Sequence, residues 1–305
     1  MMLPRFNYSL LSIIFFIGSG CSGPEATGRD VVTIEYDSSR DIETGDGFDI
    51  DVGEGFDVHD GADADVTVDA DVPHVDPWEC APDLELTAVG YAHLAEQEGL
   101  ALWEGLRDLV VDHRSLGYDL ARNEMFRHID VDEDAMIECI YSGRLVRRDG
   151  TRTPDGFNTE HTWPQSRGAN VEPSRSDIHH LFPIDEITNQ ARGNFEFGWV
   201  TCEPSSCAWA EGGSLLGPAT DGRGTVFQVR PERRGNVARA ILYVSLRYEF
   251  EISEREEVVL REWNCTDPPD ERERARNDEI ETRQRNRNPF VDRPDLVDRV
   301  AEFRN

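Results

Sequence analysis

The chain has 305 residues and a formal net charge of −30. That charge excludes any hold on a polyanion through bulk positive potential, so anion contacts have to come from local arginines. All 31 basic residues are Arg; an acidic chain without Lys fits a saline habitat or a GC-rich genome, with a slight lean to salt.

In chain order, the first feature is an apolar run from Leu10 to Ile17, too short to span a bilayer and placed where a secretory signal belongs. Gly18-Ser19-Gly20 and then Cys21 follow. This pattern predicts cleavage and lipidation at Cys21, although Gly18 stands where Leu is usual. The expected location is therefore outside the cytoplasm, anchored to a membrane through Cys21 or else secreted. Disulfides persist there, so Cys80, Cys139, Cys202, Cys207 and Cys265 are bridge candidates before they are metal ligands. Five is odd, so one stays free or pairs outside the chain. Cys202 and Cys207 flank the turn Glu-Pro-Ser-Ser and are the expected pair, and they lack the companion ligands of a zinc knuckle.

Residues 22 to 76 are rich in Asp, Gly and Val and carry about half of the net negative charge. With few large apolar side chains to offset ordering entropy, this segment is expected to be an extended, disordered linker. Asp-rich near-repeats also suggest calcium, but no stretch has EF-hand spacing. The folded domain is expected over 77–305.

Within it, Val89 to Arg114 reads as helix, with Tyr91, Leu94, Leu102, Leu106 and Leu109 on one face and Gly99 and Gly105 as weak points. A second helix is predicted over Tyr118 to His128 and a strand over Ala135 to Tyr141. Val237, Ala240, Ile241, Val244 and Tyr248 recur at helical spacing and mark a core helix. Asp267-Pro268 reads as the N-cap and first residue of a last helix. Short strands mixed with longer helices, without regular alternation, give an α+β fold.

The stretch that carries chemistry is Asn158-Thr159-Glu160-His161-Thr162-Trp163-Pro164-Gln165-Ser166. Ser176-Asp177-Ile178-His179-His180-Leu181-Phe182-Pro183 follows, then Thr188-Asn189-Gln190-Ala191-Arg192-Gly193-Asn194. Phosphodiester hydrolysis needs a water deprotonated as it attacks, and charge neutralised on the phosphoryl oxygens. It also needs a proton for the leaving oxygen. Histidine suits the first task because its unperturbed pKa is about 6.5. A hard divalent cation suits the others and prefers oxygen ligands, which Glu160 and the Asn189 side chain offer. Glu160 and His161 are adjacent, so in a strand they point to opposite faces; both reach one phosphate only at an irregular strand end, with which Pro164 is compatible.

These segments resemble the bacterial endonuclease I family, built round a ββα-metal (His-Me) finger. The likeness continues through Phe227 to Tyr248, with Gly235, Ala238-Arg239-Ala240 and Arg247-Tyr248. It extends to Trp263, Asp267-Pro268, Arg276-Asn277, Ile280 and Asn286-Arg287-Asn288-Pro289-Phe290, so it covers Tyr118 to the C-terminus. The resemblance implies a non-specific endonuclease acting on DNA and also RNA, leaving 5′-phosphates, and working as a monomer. It implies His161 as general base, Glu160 and Asn189 as ligands of Mg2+ (or Mn2+ or Ca2+), and Arg192 or Arg175 steadying the phosphate. The loop from Arg167 to Arg175 is shorter than in many family members.

Other readings stay open. His179 and His180 are either structural, hydrogen-bonded to Asp177, or ligands of a zinc site with His161. Arg272, Arg274, Arg276, Arg283, Arg285 and Arg287 form either a phosphate-binding run or a solvated face paired with Glu271, Glu273, Glu279 and Glu281. Glu-His is not the helical His-Glu…His signature of zinc proteases. The competing function is an adhesive or calcium-bridging surface lipoprotein whose nuclease-like domain is inactive.

Overall fold

The computed structural model describes residues 90–150 and 153–303; the expected signal, Cys21 and the acidic linker lie outside them. The architecture is α+β. Among the described residues, three small antiparallel sheets sit around a bundle of helices.

The core forms round the helix α4, Arg234–Tyr248, in which every residue from Gly235 to Leu246 is buried. The sequence marks only one apolar stripe there, yet polar positions are buried as well, and Arg239 and Ser245 find partners. Arg239 makes a bidentate pair with Glu273 and donates to the Asp267 carbonyl at 2.9 Å, and Ser245 donates to the Phe303 carbonyl at 3.2 Å. Unpaired, such groups would cost several kcal/mol, on the order of 3–5 for a buried charge that loses its partner. Against α4 pack α1 (Gly99–Val110), α5 (Glu254–Thr266) and α7 (Pro289–Asp292).

The first expected helix is not continuous. A single 3-10 turn, Ala92–Leu94, precedes α1, and the chain breaks between them because Gly99 sits at φ +59°, a conformation open to glycine. The second helix, α2 (Tyr118–Glu124), runs on as a π-helical turn over Met125–Ile129. The short strand is present as β1 (Met136–Glu138), paired with β2 (Leu145–Arg147).

The last long helix, α6 (Glu271–Gln284), is capped by Asp270, whose carboxylate accepts the Glu273 amide at 2.7 Å, and not by Asp267. Pro268 precedes Pro269, and a residue before proline is pushed out of the helical region, so the start moves past both. Asp267 instead ends α5, and its carboxylate accepts the Gly235 amide at 2.9 Å. A Cβ at Gly235 would meet the Asp267 carbonyl oxygen at 1.9 Å. Gly235→Ala is therefore expected to separate α4 from α5 and lower the thermal midpoint by several degrees. An unchanged melting curve would contradict this packing.

Cys202 and Cys207 form a disulfide, Cys265 is disulfide-bonded as well, and Cys139 is a buried free thiol. Among the described residues, no helix is long and apolar enough to cross a membrane.

Candidate active site

The central unit is a hairpin followed by a helix. Strand β3 (Phe157–His161) pairs with β4 (Leu181–Asp185), in register from Phe157 opposite Asp185 to His161 opposite Leu181. β4 is buried along its whole length, so the hairpin is fixed from beneath. Asp185 ends β4 and caps α3 (Glu186–Arg192): it accepts the Thr188 amide at 2.9 Å and hydroxyl at 2.8 Å, and Ser142 donates to it at 2.6 Å. Asp is a favoured N-cap residue, and the helix that it starts carries Asn189.

Glu160 points toward α3. Its Oε1 accepts the Tyr141 hydroxyl at 2.8 Å and faces Arg192 Nε at 3.4 Å. Among the described residues no hydrogen bond reaches Oε2. Burial pushes the Glu160 carboxyl up to about 7, against the pull of Arg192 and of the Tyr141 hydrogen bond. This carboxylate is thus short of positive charge. Asn189 lies three residues before Arg192, hence on the same face of α3, half-buried. One carboxylate and one amide oxygen form a donor set that fits a hard divalent cation.

His161 leaves β3 on the other side. Its Nε2 donates to the Arg175 carbonyl at 3.0 Å, and Gln165 Nε2 stands at 3.3 Å from Nδ1. The ring lies 5.5 Å from both the Tyr118 and the His180 rings. Burial, then the positive surroundings of His180, Arg175 and Arg122, lower its pKa to about 3, with the Arg175 carbonyl opposing. The imidazole is therefore neutral at working pH, its one proton sits on Nε2, and Nδ1 keeps a lone pair. Gln165, the neighbour at Nδ1, is exposed and easily displaced.

The two arginines expected at the phosphate part company. Arg192 is fully buried: it donates to the carbonyls of Phe195 (2.5 Å) and Thr162 (3.2 Å), stacks on Phe197 at 4.1 Å and backs Glu160. Arg175 is exposed, its guanidinium over the Tyr118 ring at 4.7 Å.

Asp177 anchors the wall behind His161. Its carboxylate accepts Tyr243 (2.8 Å), Tyr248 (2.7 Å), Gln284 (2.9 Å) and the His179 backbone amide (3.1 Å). The rings of His179 and His180 do not bond to Asp177, contrary to the expectation. They donate to the carbonyls of Asn286 (3.2 Å) and Ser174 (2.6 Å), which turns these nitrogens away from a shared zinc. Among the described residues no group of three or more His, Cys, Asp or Glu forms a metal cluster.

The arginines of α6 and its end are largely spoken for. Arg272 pairs with Glu138, Arg276 with Asp130, Arg283 with Glu124 and Glu279, and Arg287 with Asp278, Glu281 and Asp292. Of the expected partners, Glu279 and Glu281 pair with Arg283 and Arg287, whereas Glu273 pairs with Arg239 of α4, and Arg272, Arg276 and Arg283 reach the remote acids Glu138, Asp130 and Glu124. Sequence reasoning missed Tyr141, Tyr118, Arg122 and Gln165. Tyr118 and Arg122 carry a faint signal, an aromatic and a cation at i and i+4 of one helix.

A β-hairpin followed by a capped helix, with Glu and His at the strand end and Asn on the helix, defines a ββα-metal hydrolytic core. The family model for Endonuclease I matches residues 99–295, and the chain belongs to the endonuclease I family. It is a hydrolase acting on phosphodiester bonds. An extracellular ribonuclease of Bacillus amyloliquefaciens is 30% identical over 243 residues, covering 70% of this chain and 78% of that protein. One of Bacillus subtilis (strain 168) is 31% identical over 228 residues, 66% and 74% of the two chains. An extracellular deoxyribonuclease of Aeromonas hydrophila is 30% identical over 120 residues, 38% of this chain and 49% of that one.

Proposed function

We propose that the protein is an exported, metal-dependent endonuclease that cuts nucleic acid with little sequence preference and leaves 5′-phosphates. The observation that carries this reading is the division of β3: an imidazole whose Nδ1 meets the exposed Gln165 on one side, a buried carboxylate facing the helix that bears Asn189 on the other. In-line displacement needs that division, because the attacking and leaving oxygens lie on opposite sides of phosphorus. His161 takes the proton of the attacking water at Nδ1, while the Arg175 carbonyl holds the ring. Glu160 and Asn189 would hold the cation, which supplies charge neutralisation at the phosphoryl oxygens and an acidic water for the leaving group. Mg2+ is the proposed ion, with Mn2+ or Ca2+ as substitutes. Arg175, exposed beside His161, steadies the phosphate. Arg192 acts through Glu160 as a positioning residue.

The relatives are named for ribonuclease and for deoxyribonuclease activity, so both nucleic acids are proposed substrates. Export follows from the leader-like N-terminus and from relatives named extracellular or periplasmic; lipidation at Cys21, the 22–76 segment as a tether and action as a monomer belong to the same proposal.

The test is cutting of plasmid and of RNA by the purified chain with added Mg2+, with and without chelator. Asn189→Ala is expected to raise the Mg2+ concentration for half-maximal rate on the order of tenfold or more. Full activity in chelator, or an unmoved Mg2+ dependence in Asn189→Ala, would refute the metal assignment.

A further inference from the structure

Beside His161 stands a second cationic feature that the hydrolytic step does not use. Thr159 and His161 alternate onto the same face of β3. Arg122, on α2, donates from Nε to the Thr159 hydroxyl at 3.0 Å and from one Nη to the Thr153 hydroxyl at 2.7 Å. These partners are neutral. Its guanidinium lies over the Tyr118 ring at 5.4 Å, and Arg175 lies over the same ring at 4.7 Å. Tyr118 in turn rests against His161.

Two cations thus crowd one phenol ring and one catalytic imidazole, and among the described residues no carboxylate is within ion-pair distance of either. The contrast with α6, where acids take up most of the arginines, makes this notable in a chain of charge −30. Like charges held this close repel unless an anion lies between them and solvent. Arg122 is offset from His161 by two strand residues, roughly 7 Å, comparable to one nucleotide step along an extended strand.

We infer that Arg122, held by Thr159 and Thr153 and backed by Tyr118, forms a subsite for the phosphodiester next to the scissile one. The enzyme then engages at least two consecutive phosphates, and its efficiency depends on substrate length. This rests on the nuclease reading of the His161 site. The guanidinium fork, oriented by two hydroxyls, keeps its remaining Nη to meet a phosphate oxygen.

The test compares kcat/KM per bond on a thymidine dinucleotide, with one phosphate, and a trinucleotide, with two, at saturating Mg2+. The wild-type chain is expected to gain tenfold or more on the longer substrate. Arg122→Gln should lose most of that gain, so that its deficit on the trinucleotide exceeds its deficit on the dinucleotide by about tenfold. Arg122→Lys should restore part of it. Binding of a single-stranded oligonucleotide to His161→Ala and to the His161→Ala/Arg122→Gln double variant should differ in salt slope by about 0.7. Equal wild-type efficiency on the two substrates, or equal losses on both in Arg122→Gln, would overturn the subsite and leave a merely structural cation–π contact. If the wild-type chain cuts neither these nor plasmid, the nuclease reading itself has failed, a distinguishable result.

Discussion

Replacing His161 with Ala is expected to reduce phosphodiester cleavage by about 10²–10⁴-fold, the range that a positioned general base supplies, or about 3–5 kcal/mol of activation free energy. The ring's own contacts are one backbone carbonyl, one exposed glutamine and the rings of Tyr118 and His180. The hairpin beneath it is held by β4 and by the Asp185 cap, neither of which uses the imidazole. The variant should therefore keep its far-ultraviolet spectrum and melt within a few degrees of the parent. Cleavage of a labelled duplex at fixed Mg2+ reads the loss, and a variant cutting at near the parental rate would remove the base from the mechanism. Gln165→Ala provides the counterpart. If Gln165 only occupies Nδ1 until water replaces it, its removal should change the rate by a small factor at most.

Much of this site was legible because its chemistry is written in short stretches. Glu160, His161 and Asn189 stand in short stretches that fold into one β-β-α unit. What was not legible came from distance and from burial. The family resemblance offered Arg192 as one of two candidates to steady the phosphate; its burial depends on Phe197, on the Thr162 carbonyl and on Glu160. The paired state of the α6 arginines depends on acids more than a hundred residues away, such as Glu124, Asp130 and Glu138. Arg122 was invisible for the opposite reason: among the described residues its side chain bonds to hydroxyls and not to a carboxylate, which only the assembled fold reveals. The shift of the α6 cap to Asp270 was readable in principle, since Pro268-Pro269 forbids a helix start at the first proline.

The second large effect concerns stability and acid. Burial alone would raise the Asp177 carboxyl, yet His113, His179, His180 and the Gln284 hydrogen bond hold it well below the usual carboxylate range. Removing this acceptor in Asp177→Ala strands the hydroxyls of the buried Tyr243 and the half-buried Tyr248, and the Gln284 amide. A loss of about 3 kcal/mol or more follows, which in a domain of this size lowers the melting midpoint by roughly 6–12 °C. The surrounding histidines set the pH dependence. Burial lowers His179 to about 4 and also lowers His180 and His113. A histidine with a depressed folded pKa contributes stability that is complete above its unfolded value near 6.5, and that stability is lost as pH falls toward the folded value. Asp177 adds a share that is complete above about 3.9 and declines only below it. The stability of the wild-type chain, measured by urea unfolding in chelator, is therefore expected to be flat from pH 8 to about 7. It should then fall steadily to pH 4.5, before most carboxylates protonate. His179→Gln, which keeps a donor toward the Asn286 carbonyl, should flatten part of that slope. A wild-type profile level between pH 7 and pH 4.5 would mean that these imidazoles take up protons in the folded protein as readily as in the unfolded chain, and the neutral wall behind His161 would have to be abandoned.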